Sequence, residues 1–354
     1  SYKQVEDIPQ SGYILNTERS TCSNGANPSW SNGGLFVSNL TKSGTSCYLY
    51  FDEKELAAGL ILAGKNIQTR SSFSSVVTEQ TTNRIYQASD GDGTTYYFAG
   101  NPTDNWVQFA GFYWRIIRIN GDGTIRMIYN GTSPETTGEG TQIGTSAFNT
   151  SINRSEYVGL KYTAGEQHGN TADSSIMGTL NSWYSSNLTS YESYIDRNAG
   201  FCGDREMASG YTWSSQPSSH IYYVAFERLI TNKTPNLECS SSDLFTAIGA
   251  SKGNTSLTNP IGLITADEVA VAGGVSGSNN RDYYLYTEQV YWTMSPYGFN
   301  ATSSYAYVFL VNSSGNLGNT NAFNATFGVR PVINLRADVE LSGTGTSSDP
   351  YVVA

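Results

Sequence analysis

Carboxylates and amides stand between glycines at two points where they could bind a cation. Asp90 and Asp92 lie in "ASDGDGTT", and Asn120 and Asp122 lie in "NGDGT". A Ca²⁺ site takes several oxygen ligands from one compact loop, but neither segment continues to the bidentate Glu of an EF-hand loop. We therefore predict tight β turns at both points, with structural Ca²⁺ as the alternative.

A third group, "FCGDREM", places Asp204 and Glu206 on either side of Arg205. Paired carboxylates can serve as general acid and general base. A solvated loop with a local ion pair is the simpler interpretation, and it is our prediction. Neither histidine is predicted to be catalytic. We interpret His168 as a surface side chain in a polar loop and His220 as the end of a helix or strand.

The usual signatures of enzymes are missing from the sequence. It has no G-x-S-x-G nucleophile elbow, no H-E-x-x-H motif and no glycine pattern of a Walker or Rossmann phosphate loop. The four cysteines include no C-x-x-C pair, and only two histidines are available, which disfavours a zinc site. We therefore predict that the chain is not an enzyme and has no catalytic residue, no metal other than the Ca²⁺ alternative, and no organic cofactor.

The four cysteines pair most simply with their neighbours in sequence, Cys22 with Cys47 and Cys202 with Cys239. Each such disulfide stabilises a fold by roughly 3–4 kcal/mol in the loop-entropy model. Free buried thiols are the alternative. Because structural disulfides persist in oxidising compartments, we predict an extracellular or cell-surface location.

The longest apolar run, "LAAGLILAG" at Leu56–Gly64, is shorter than the ~20 residues that a membrane-spanning helix needs. The chain starts at Ser1 without an initiator Met or a signal peptide, which we interpret as a trimmed ectodomain. Contact with a membrane is then expected only through a segment outside this sequence.

The amino-acid composition limits the classes of molecule that the protein could bind. The formal charge of −10 argues against nucleic acid, because phosphate binding needs clustered Lys and Arg. The 25 Tyr, together with abundant Ser, Asn and Gly, supply rigid aromatic contact area and adaptable hydrogen bonds. The expected partner is a protein or a glycan on a cell or phage surface.

A long uncharged stretch is the strongest candidate for the binding surface. Between Glu288 and Arg330 there is no Asp, Glu, Lys, Arg or His. By the two-residue period of a strand, Tyr305 and Tyr307 share one face, which we predict to point outward. The Asn-rich segments before and after this strand are too polar for a core, so we predict displayed loops. The predicted ligand-binding residues are Tyr297, Phe299, Asn300, Thr302, Ser304, Tyr305, Tyr307, Asn312, Asn316, Asn319, Asn321, Phe323 and Asn324.

The elements that must position these residues fall into three parts. Residues 1–53 show short strand-like runs between turn-rich segments and predict a small, disulfide-stapled β module. Residues 54–70 predict a helical connector. Residues 71–354 show strands, then helices, then strands again, which is typical of an α+β fold.

Two local signals within the larger part are strong. "NGDG" at Asn120–Gly123 predicts a hairpin turn. "DSSIMGTLNSWYSSNL" predicts a helix capped by Asp173, with Ile176, Leu180, Trp183 and Tyr184 at helical spacing.

The closing residues resemble the C-terminal half of a C-type-lectin-like domain. The resemblance rests on "VYWTMSPY" at Val290–Tyr297, "VFLVNSSGNL", and "GVRPVINL" at Gly328–Leu335. It is closest to the branch shared by formylglycine-generating-enzyme-like folds and bacterial and phage receptor-binding proteins, in which a Gly-Phe-Arg-Pro-like sequence marks the last core strand. Here Val329 replaces the Phe. The resemblance implies a C-type-lectin-like ligand-binding domain over roughly residues 70–354.

Other segments are similar to surface proteins of gut Firmicutes that carry this fold, namely "FAGFYWRIIRINGDGTIRMIYNG" and "LNSWYSSNL". The oxidase members of the fold need a cysteine pair late in the chain, and no cysteine follows Cys239 here. That activity is therefore not carried over. We interpret Trp292, Arg330 and Pro331 as framework, with Arg330 paired to a carboxylate or to backbone carbonyls.

The uncharged stretch also resembles the variable region of proteins diversified by retroelements. In those proteins, adenine-directed substitution of AAC or AAT codons never yields Lys, Glu, Gln, Met or Trp, and all five are absent between Tyr297 and Val329. A fixed adhesin or receptor with the same composition, and a purely structural region, are the alternatives.

We predict a ligand-binding surface protein of adhesin type. An enzyme of the formylglycine-generating or glycan-processing kind is one alternative, which a convergent carboxylate pair in a deep pocket would favour. A structural surface or pilus subunit is the other, which a long exposed edge strand would favour.

Overall fold

The computed structural model describes residues 8, 13–31, 34–53, 56–134 and 137–353. The fold is mixed and sheet-rich, with 31% of the chain in strands and 17% in helices. The predicted mixture of helices and strands is confirmed.

In the described residues of the N-terminal part, six short strands pair antiparallel in nested order, the first with the sixth, the second with the fifth and the third with the fourth. Cys22 and Cys47 are direct partners in this register, and a disulfide joins them as predicted. Two-stranded pairs of this length are marginal in water, so the covalent bond contributes much of their stability. The strands are β1 Tyr13–Leu15, β2 Thr21–Cys22, β3 Asn27–Ser31, β4 Gly34–Ser38, β5 Cys47–Tyr48 and β6 Phe51–Glu53.

The predicted connector packs on the larger part of the chain. Helix α1, Ala57–Leu62, buries Ala57 and Ile61 in the main core. The strands that follow it are β7 Asn66–Gln68, β8 Gln80–Thr81, β9 Arg84–Ser89, β10 Thr94–Tyr97, β11 Asn101–Pro102, β12 Trp106–Phe109, β13 Phe112–Ile119, β14 Ile125–Tyr129, β15 Lys161–Tyr162, β16 Ala172–Asp173, β17 Phe201–Cys202, β18 Ile221–Tyr222, β19 Leu244–Phe245, β20 Tyr291–Asn300, β21 Tyr305–Val311, β22 Leu317–Asn321, β23 Val332–Leu335, β24 Leu341–Ser342 and β25 Tyr351–Val353.

A nine-stranded sheet, curled into a half-barrel, holds the core. β13 lies at its centre and pairs with β10 and β12 on one side and β14 on the other. β13 and β14 are rich in β-branched and aromatic residues, and Trp114, Ile116 and Ile128 are fully buried. The predicted turn joins these two strands, with Asn120 N donating to Thr124 O and Gly123 N to Asn120 O.

A second sheet has four antiparallel strands in the order β18-β20-β21-β22. Its core face carries Ala306, Val308 and Leu310, on the side of β21 opposite Tyr305 and Tyr307. Phe309 and Val311 on the other side are also buried, so only the first part of the strand alternates between core and surface.

The predicted long helix is α2, Ser175–Asn187, with Ile176, Leu180 and Tyr184 fully buried. Its cap is Ser174, whose hydroxyl accepts from Met177 N, and not Asp173 as predicted. The Asp173 carboxylate is instead engaged with Lys161 and Asn181. The remaining helices are α3 Val224–Phe226, which continues as a π-helical turn at Glu227–Asn232, and α4 Ala266–Ala272, with 3-10 turns at Ser23–Gly25, Gly138–Thr141, Ser155–Val158, Thr189–Tyr194 and Ser241–Asp243.

The predicted framework residues lie in the core. Trp292 is fully buried and its indole donates to Ser146 O. Arg330 is also fully buried and donates to the backbone carbonyls of Tyr129 and Leu285, which is one of the two pairings predicted for it.

Candidate ligand-binding site

A concave hollow of about 230 Å³ lies on the four-stranded sheet where β20 ends and β21 begins. Among the residues that the structure describes, its lining contains aromatic rings and amides but no Asp, Glu, Lys or Arg. We call it the aromatic pocket. It is lined by His220, Tyr222, Tyr297, Gly298, Phe299, Asn300, Tyr307 and Asn319.

Gly298 sits between the two walls of the aromatic pocket. It lies opposite Tyr222 in the pairing of β18 with β20, and opposite Tyr307 in the pairing of β20 with β21. A Cβ at this position would stand 2.5 Å from Ile221 O, closer than any real contact. The missing side chain therefore lets β18 approach β20 and leaves the space between the two tyrosines open.

A β-bulge aims Tyr297 at the pocket. Pro296 pairs with Val308 and Gly298 pairs with Tyr307, so Tyr297 is an extra residue on β20. Because a bulge interrupts the strict alternation of faces, Tyr297 can line the same hollow as its neighbour Gly298.

The walls are braced by ring contacts. The Tyr222 ring stacks on Phe226 with centroids 4.0 Å apart and meets the edge of Tyr297 at 5.8 Å. Tyr297 in turn contacts Phe309 edge to face at 5.1 Å. These rings are held in place before any ligand arrives, so binding costs little side-chain entropy.

The polar groups at the rim are a tyrosine hydroxyl, amides and an imidazole, which can donate or accept hydrogen bonds. Burial raises the pKa of Tyr297 above its ordinary value, the neighbouring Tyr222 raises it further, and a hydrogen bond with Asn319 opposes the shift. The Tyr297 phenol therefore stays protonated and can donate. His220 Nε2 lies 3.3 Å from Thr302 Oγ1, which ties the histidine to the β20–β21 turn.

The structure separates the predicted binding residues into two groups. β21 and β22 are antiparallel, with Tyr307 opposite Asn321, so the turn that holds Thr302 and the segment after β22 lie at one end of the sheet. Asn312 and Asn316 lie at the other end, where β21 turns into β22. The predicted residues at the pocket end are Tyr297, Phe299, Asn300, Thr302, Ser304, Tyr305, Tyr307, Asn319, Asn321, Phe323 and Asn324.

Burial divides the pocket-end residues further. Tyr305 is 39% exposed and Phe323 54% exposed, whereas Phe299 is only 4% exposed and contributes mainly to the core. Tyr305 thus points outward as predicted, and Tyr307 is half-buried at the pocket wall.

Several of the asparagines build turns. Asn312 Oδ1 accepts from Ser314 N and Asn316 N, Asn321 Oδ1 from Phe323 N, and Asn300 Oδ1 from Thr302 N. An Asn side chain that bonds the backbone two residues later stabilises a tight turn. The Asn-rich composition therefore reflects turn formation as well as a polar surface.

Sequence reasoning missed two pocket residues, His220 and Tyr222. Both precede β20 by more than 60 residues and reach it only because β18, a two-residue strand, pairs with Gly298 and Phe299. His220 was correctly predicted to stand at the end of an element, but "HIYY" contains no signal that names its strand partner.

A second hollow, of about 260 Å³, is lined by charged groups. We call it the charged cleft. It lies between the β9–β10 turn, the β13–β14 turn, the first turn of α4 and the segment around Cys239. Its charged lining residues are Asp90, Asp92, Arg118, Asp122, Arg126, Asp204, Arg228, Glu238, Lys252, Asp267 and Glu268.

The two predicted β turns meet at this cleft. Asp90 Oδ2 accepts from Gly121 N, so the two turns contact each other directly. Lys252 Nζ bridges them, 2.5 Å from Asp92 Oδ2 and 3.5 Å from Asp122 Oδ2. An ammonium group thus lies where the sequence suggested a Ca²⁺ ion as the alternative. Within the described residues, no three His, Cys, Asp or Glu side chains are grouped so that they could hold a metal ion.

The prediction of a solvated loop at residues 204–206 is wrong for two of its three residues. Arg205 is fully buried, with Nε 2.8 Å from Asp243 Oδ1 and Nη1 2.7 Å from Gly169 O. Asp204 pairs with Arg228 at 2.5 Å and is largely buried. Their true partners lie 24 and 38 residues away, so the local sequence shows a loop where the fold has an internal ion-pair network.

The Cys202–Cys239 disulfide is formed as predicted and borders the charged cleft. None of the helices in the described part of the chain combines the length and apolarity that crossing a membrane requires. Two disulfides are consistent with an extracellular protein.

No protein family, curated protein or solved structure matches this chain.

Proposed function

We propose that the chain is an extracellular ligand-binding protein of adhesin type whose ligand docks in the aromatic pocket. The observation that carries the proposal is the uncharged hollow between Tyr222, Tyr297 and Tyr307, with amides at its rim. A concave site with aromatic walls and a few placed polar groups is the usual form of a binding site.

The ligand is a protein or a glycan on a cell or phage surface. Tyrosine rings supply flat apolar faces for a sugar ring or an apolar side chain, and Asn300, Asn319 and the Tyr297 hydroxyl supply hydrogen bonds. Because the described lining has no Asp, Glu, Lys or Arg, affinity depends mainly on shape and hydrogen bonding, so it should change little with salt.

We also propose that the scaffold is C-type-lectin-like. The support is the sequence resemblance together with the buried position of Val329 and Arg330, the two central residues of the motif that marks the last core strand. The four-stranded sheet that displays the pocket is formed mainly by the stretch that carries the resemblance.

Retroelement diversification stays part of this proposal in a narrower form. Substitution is compatible with the exposed positions Tyr305, Asn319 and Phe323, but not with Phe309 and Val311, which are fully buried. A variable repertoire at this site would therefore be confined to the pocket end of the sheet. The matching genomic observation is a reverse transcriptase beside a near-copy of this coding segment that differs only at adenines.

One observation bears on the enzyme alternative. Asp204 and Asp267 form a carboxylate pair in the charged cleft, but Arg228 bonds to both, which holds them as an ion-pair network. For a structural subunit, the relevant edge of the four-stranded sheet is β22, which has only five residues and is a poor template for assembly. We therefore propose binding and not catalysis.

The test is a glycan array and a panel of bacterial and phage surface proteins, probed with the full chain and with Tyr307→Ala. We expect capture of at least one ligand by the parent chain and a loss of roughly tenfold or more in affinity for Tyr307→Ala. Tyr48→Ala is the matched control, because Tyr48 is 74% exposed and lies in the N-terminal part. Equal loss in both variants, or no loss in Tyr307→Ala, would refute the assignment of the site.

A further inference from the structure

The charged cleft has no role in the proposed function and lies outside the four-stranded sheet that carries the aromatic pocket. Among the residues that the structure describes, its lining contains seven carboxylates and four basic groups, a formal excess of three negative charges. Such an excess in a partly enclosed hollow attracts a cation.

Two of the four basic groups, Arg228 and Lys252, are each shared between two carboxylates of the cleft. Arg228 Nη2 lies 2.5 Å from Asp204 Oδ2 and 2.8 Å from Asp267 Oδ2, so one guanidinium serves two carboxylates. Lys252 is shared between Asp92 and Asp122 in the same way.

Two acidic groups at the first turn of α4 are fixed in position, and one of them, Glu268, is paired with Arg118 and Arg126. Asp267 is 2% exposed and Glu268 is 1% exposed. Glu268 is fixed by a reciprocal capping box with Thr265, and Asp267 accepts a hydrogen bond from Asn236 N. These carboxylates are preorganised around the cleft before any ligand binds.

Two further acceptors lack a strong donor. Glu238 accepts from Ser89 Oγ at 3.3 Å and forms no ion pair within the described residues. Asn120 lines the cleft and is 7% exposed; its Nδ2 donates to Thr124 and Asn334, whereas its Oδ1 has no hydrogen-bond partner in the part of the chain that the structure describes. Glu238 is exposed and open to solvent, whereas buried acceptors are normally satisfied, so Asn120 Oδ1 calls for an N–H donor.

The chemistry of the cation follows from the geometry. The described carboxylates are not grouped to coordinate a metal ion, so a compact inorganic ion is disfavoured. Leu237 and Leu244 give the cleft apolar surface for an alkyl chain. Lys252 places an alkylammonium group of this chain between two of the carboxylates, which demonstrates that the cleft accommodates that group.

We propose that the charged cleft binds a ligand with a primary alkylammonium group, such as a polyamine or a lysine side chain of another protein. The ammonium donates to the carboxylates on the side of the cleft formed by Glu238, Asp204 and Asp267, and the alkyl chain lies against the two leucines.

The affinity for an ammonium group should fall as the solution becomes more acidic. Burial raises the pKa of Asp204 to about 6; Arg228 lowers it, and the nearby carboxylates Asp267 and Asp243 raise it. As the pH falls through this value, Asp204 becomes neutral and the attraction for an ammonium group weakens. Affinity should therefore be lower at about pH 5 than at about pH 7.5, where amines are still protonated.

The experiment is isothermal titration calorimetry of the full chain at low salt, with 1,5-diaminopentane and with N-acetyl-lysine methylamide as probes. Binding of the diamine alone assigns the site to free polyamines, and binding of the lysine amide assigns it to a protein-linked lysine. We expect Glu238→Gln to weaken binding by roughly tenfold, since it removes a charge-assisted hydrogen bond without touching an internal ion pair.

A variant that should bind the amine probes more tightly keeps the test independent of folding, because a misfolded chain would not gain affinity. Lys252→Ala removes a competing ammonium and frees Asp92 and Asp122, so affinity for both probes should rise. Glu166→Gln, an exposed neutralisation outside the cleft, is the matched control and should leave affinity unchanged. The proposal is overturned if neither probe binds the folded chain, if Glu238→Gln and Glu166→Gln behave alike, or if Lys252→Ala binds more weakly than the parent.

Discussion

Gly298 of β20 lies directly opposite Tyr222 of β18, and a Cβ on Gly298 would stand 3.1 Å from Cδ1 of the Tyr222 ring and 2.5 Å from the carbonyl oxygen of Ile221. The close approach of these two strands forms the floor of the aromatic pocket. It also ties a two-residue strand from the middle of the chain to the uncharged stretch near its end.

Gly298→Ala should therefore damage the pocket and the sheet together. The new methyl group must push β18 away from β20, because the nearest atom is backbone and cannot rotate aside. We expect a loss of about 1–3 kcal/mol in the free energy of unfolding, measured by urea titration, and weaker ligand binding. Gly178→Ala is the contrasting variant: Gly178 lies inside α2 with no atom within 4 Å of an added Cβ, so that change should stabilise by roughly 0.5–1 kcal/mol.

The asparagines should divide into turn formers and ligand contacts. Asn312→Ala removes an acceptor used by the backbone N–H groups of Ser314 and Asn316, so it should lower the melting temperature and leave binding intact. Asn319→Ala, at the pocket rim, should weaken ligand binding and leave the melting temperature nearly unchanged. Thermal unfolding and ligand titration on both variants check this. If both variants lose stability and keep affinity, Asn319 is structural and not a contact.

The buried pair of Arg205 and Asp243 should be essential for stability. Both side chains are almost completely removed from solvent, and Asp243 also accepts from the backbone N–H of Arg205. Asp243→Asn leaves the guanidinium without a counter-charge and should cost about 3–5 kcal/mol. Chemical denaturation measures the loss. Asp338→Asn, in an exposed pair with Arg336, is the control and should cost little.

Stability should respond to the titration of His168. The Asp243 carboxylate, 3.6 Å from its Nδ1, raises the pKa of His168 above its ordinary value, partial burial opposes the shift, and Glu206, 3.5 Å from Nε2, adds to it. A raised pKa in the folded state means that the stabilisation is complete below about pH 6.5, the unfolded value, and is lost as the pH rises through the folded value.

The measurement is the unfolding free energy of the parent chain and of His168→Gln across this pH window. The difference between the two should shrink as the pH rises. His220→Gln is the control, because His220 lies beside a hydroxyl group and not beside a carboxylate. A difference that stays constant with pH would show that His168 contributes only packing.

Loss of the second disulfide should affect the charged cleft. Cys202 and Cys239 close a loop of 37 residues, and the double substitution to Ser should cost about 4 kcal/mol in the loop-entropy model. Because the segment around Cys239 forms one wall of the cleft, amine binding should weaken as well. The double substitution of Cys22 and Cys47, in the N-terminal part, should leave amine binding unchanged.

Several elements of the fold could be predicted from residues that lie close together in the sequence. The asparagine–glycine turn between β13 and β14, the apolar spacing of α2 and the two sequence-local disulfides could all be predicted, because their determinants lie within a few tens of residues. The outward face of Tyr305 followed from strand periodicity, and the pairing of Arg330 with backbone carbonyls followed from the cost of burying a charge.

Contacts between residues far apart in the chain could be seen only in the folded structure. Tyr222 joins Tyr297 and Tyr307 through a two-residue strand, and a bulge, not the strand period, places Tyr297 in the pocket. Arg205 became a buried ion pair because its partner Asp243 lies 38 residues away, so no local pattern distinguishes it from a solvated loop. Residue types and their spacing indicated which residues could form turns, strands and disulfides. Contact between elements far apart in the chain determined which of them line the aromatic pocket and the charged cleft, because burial and charge pairing depend on neighbours in space.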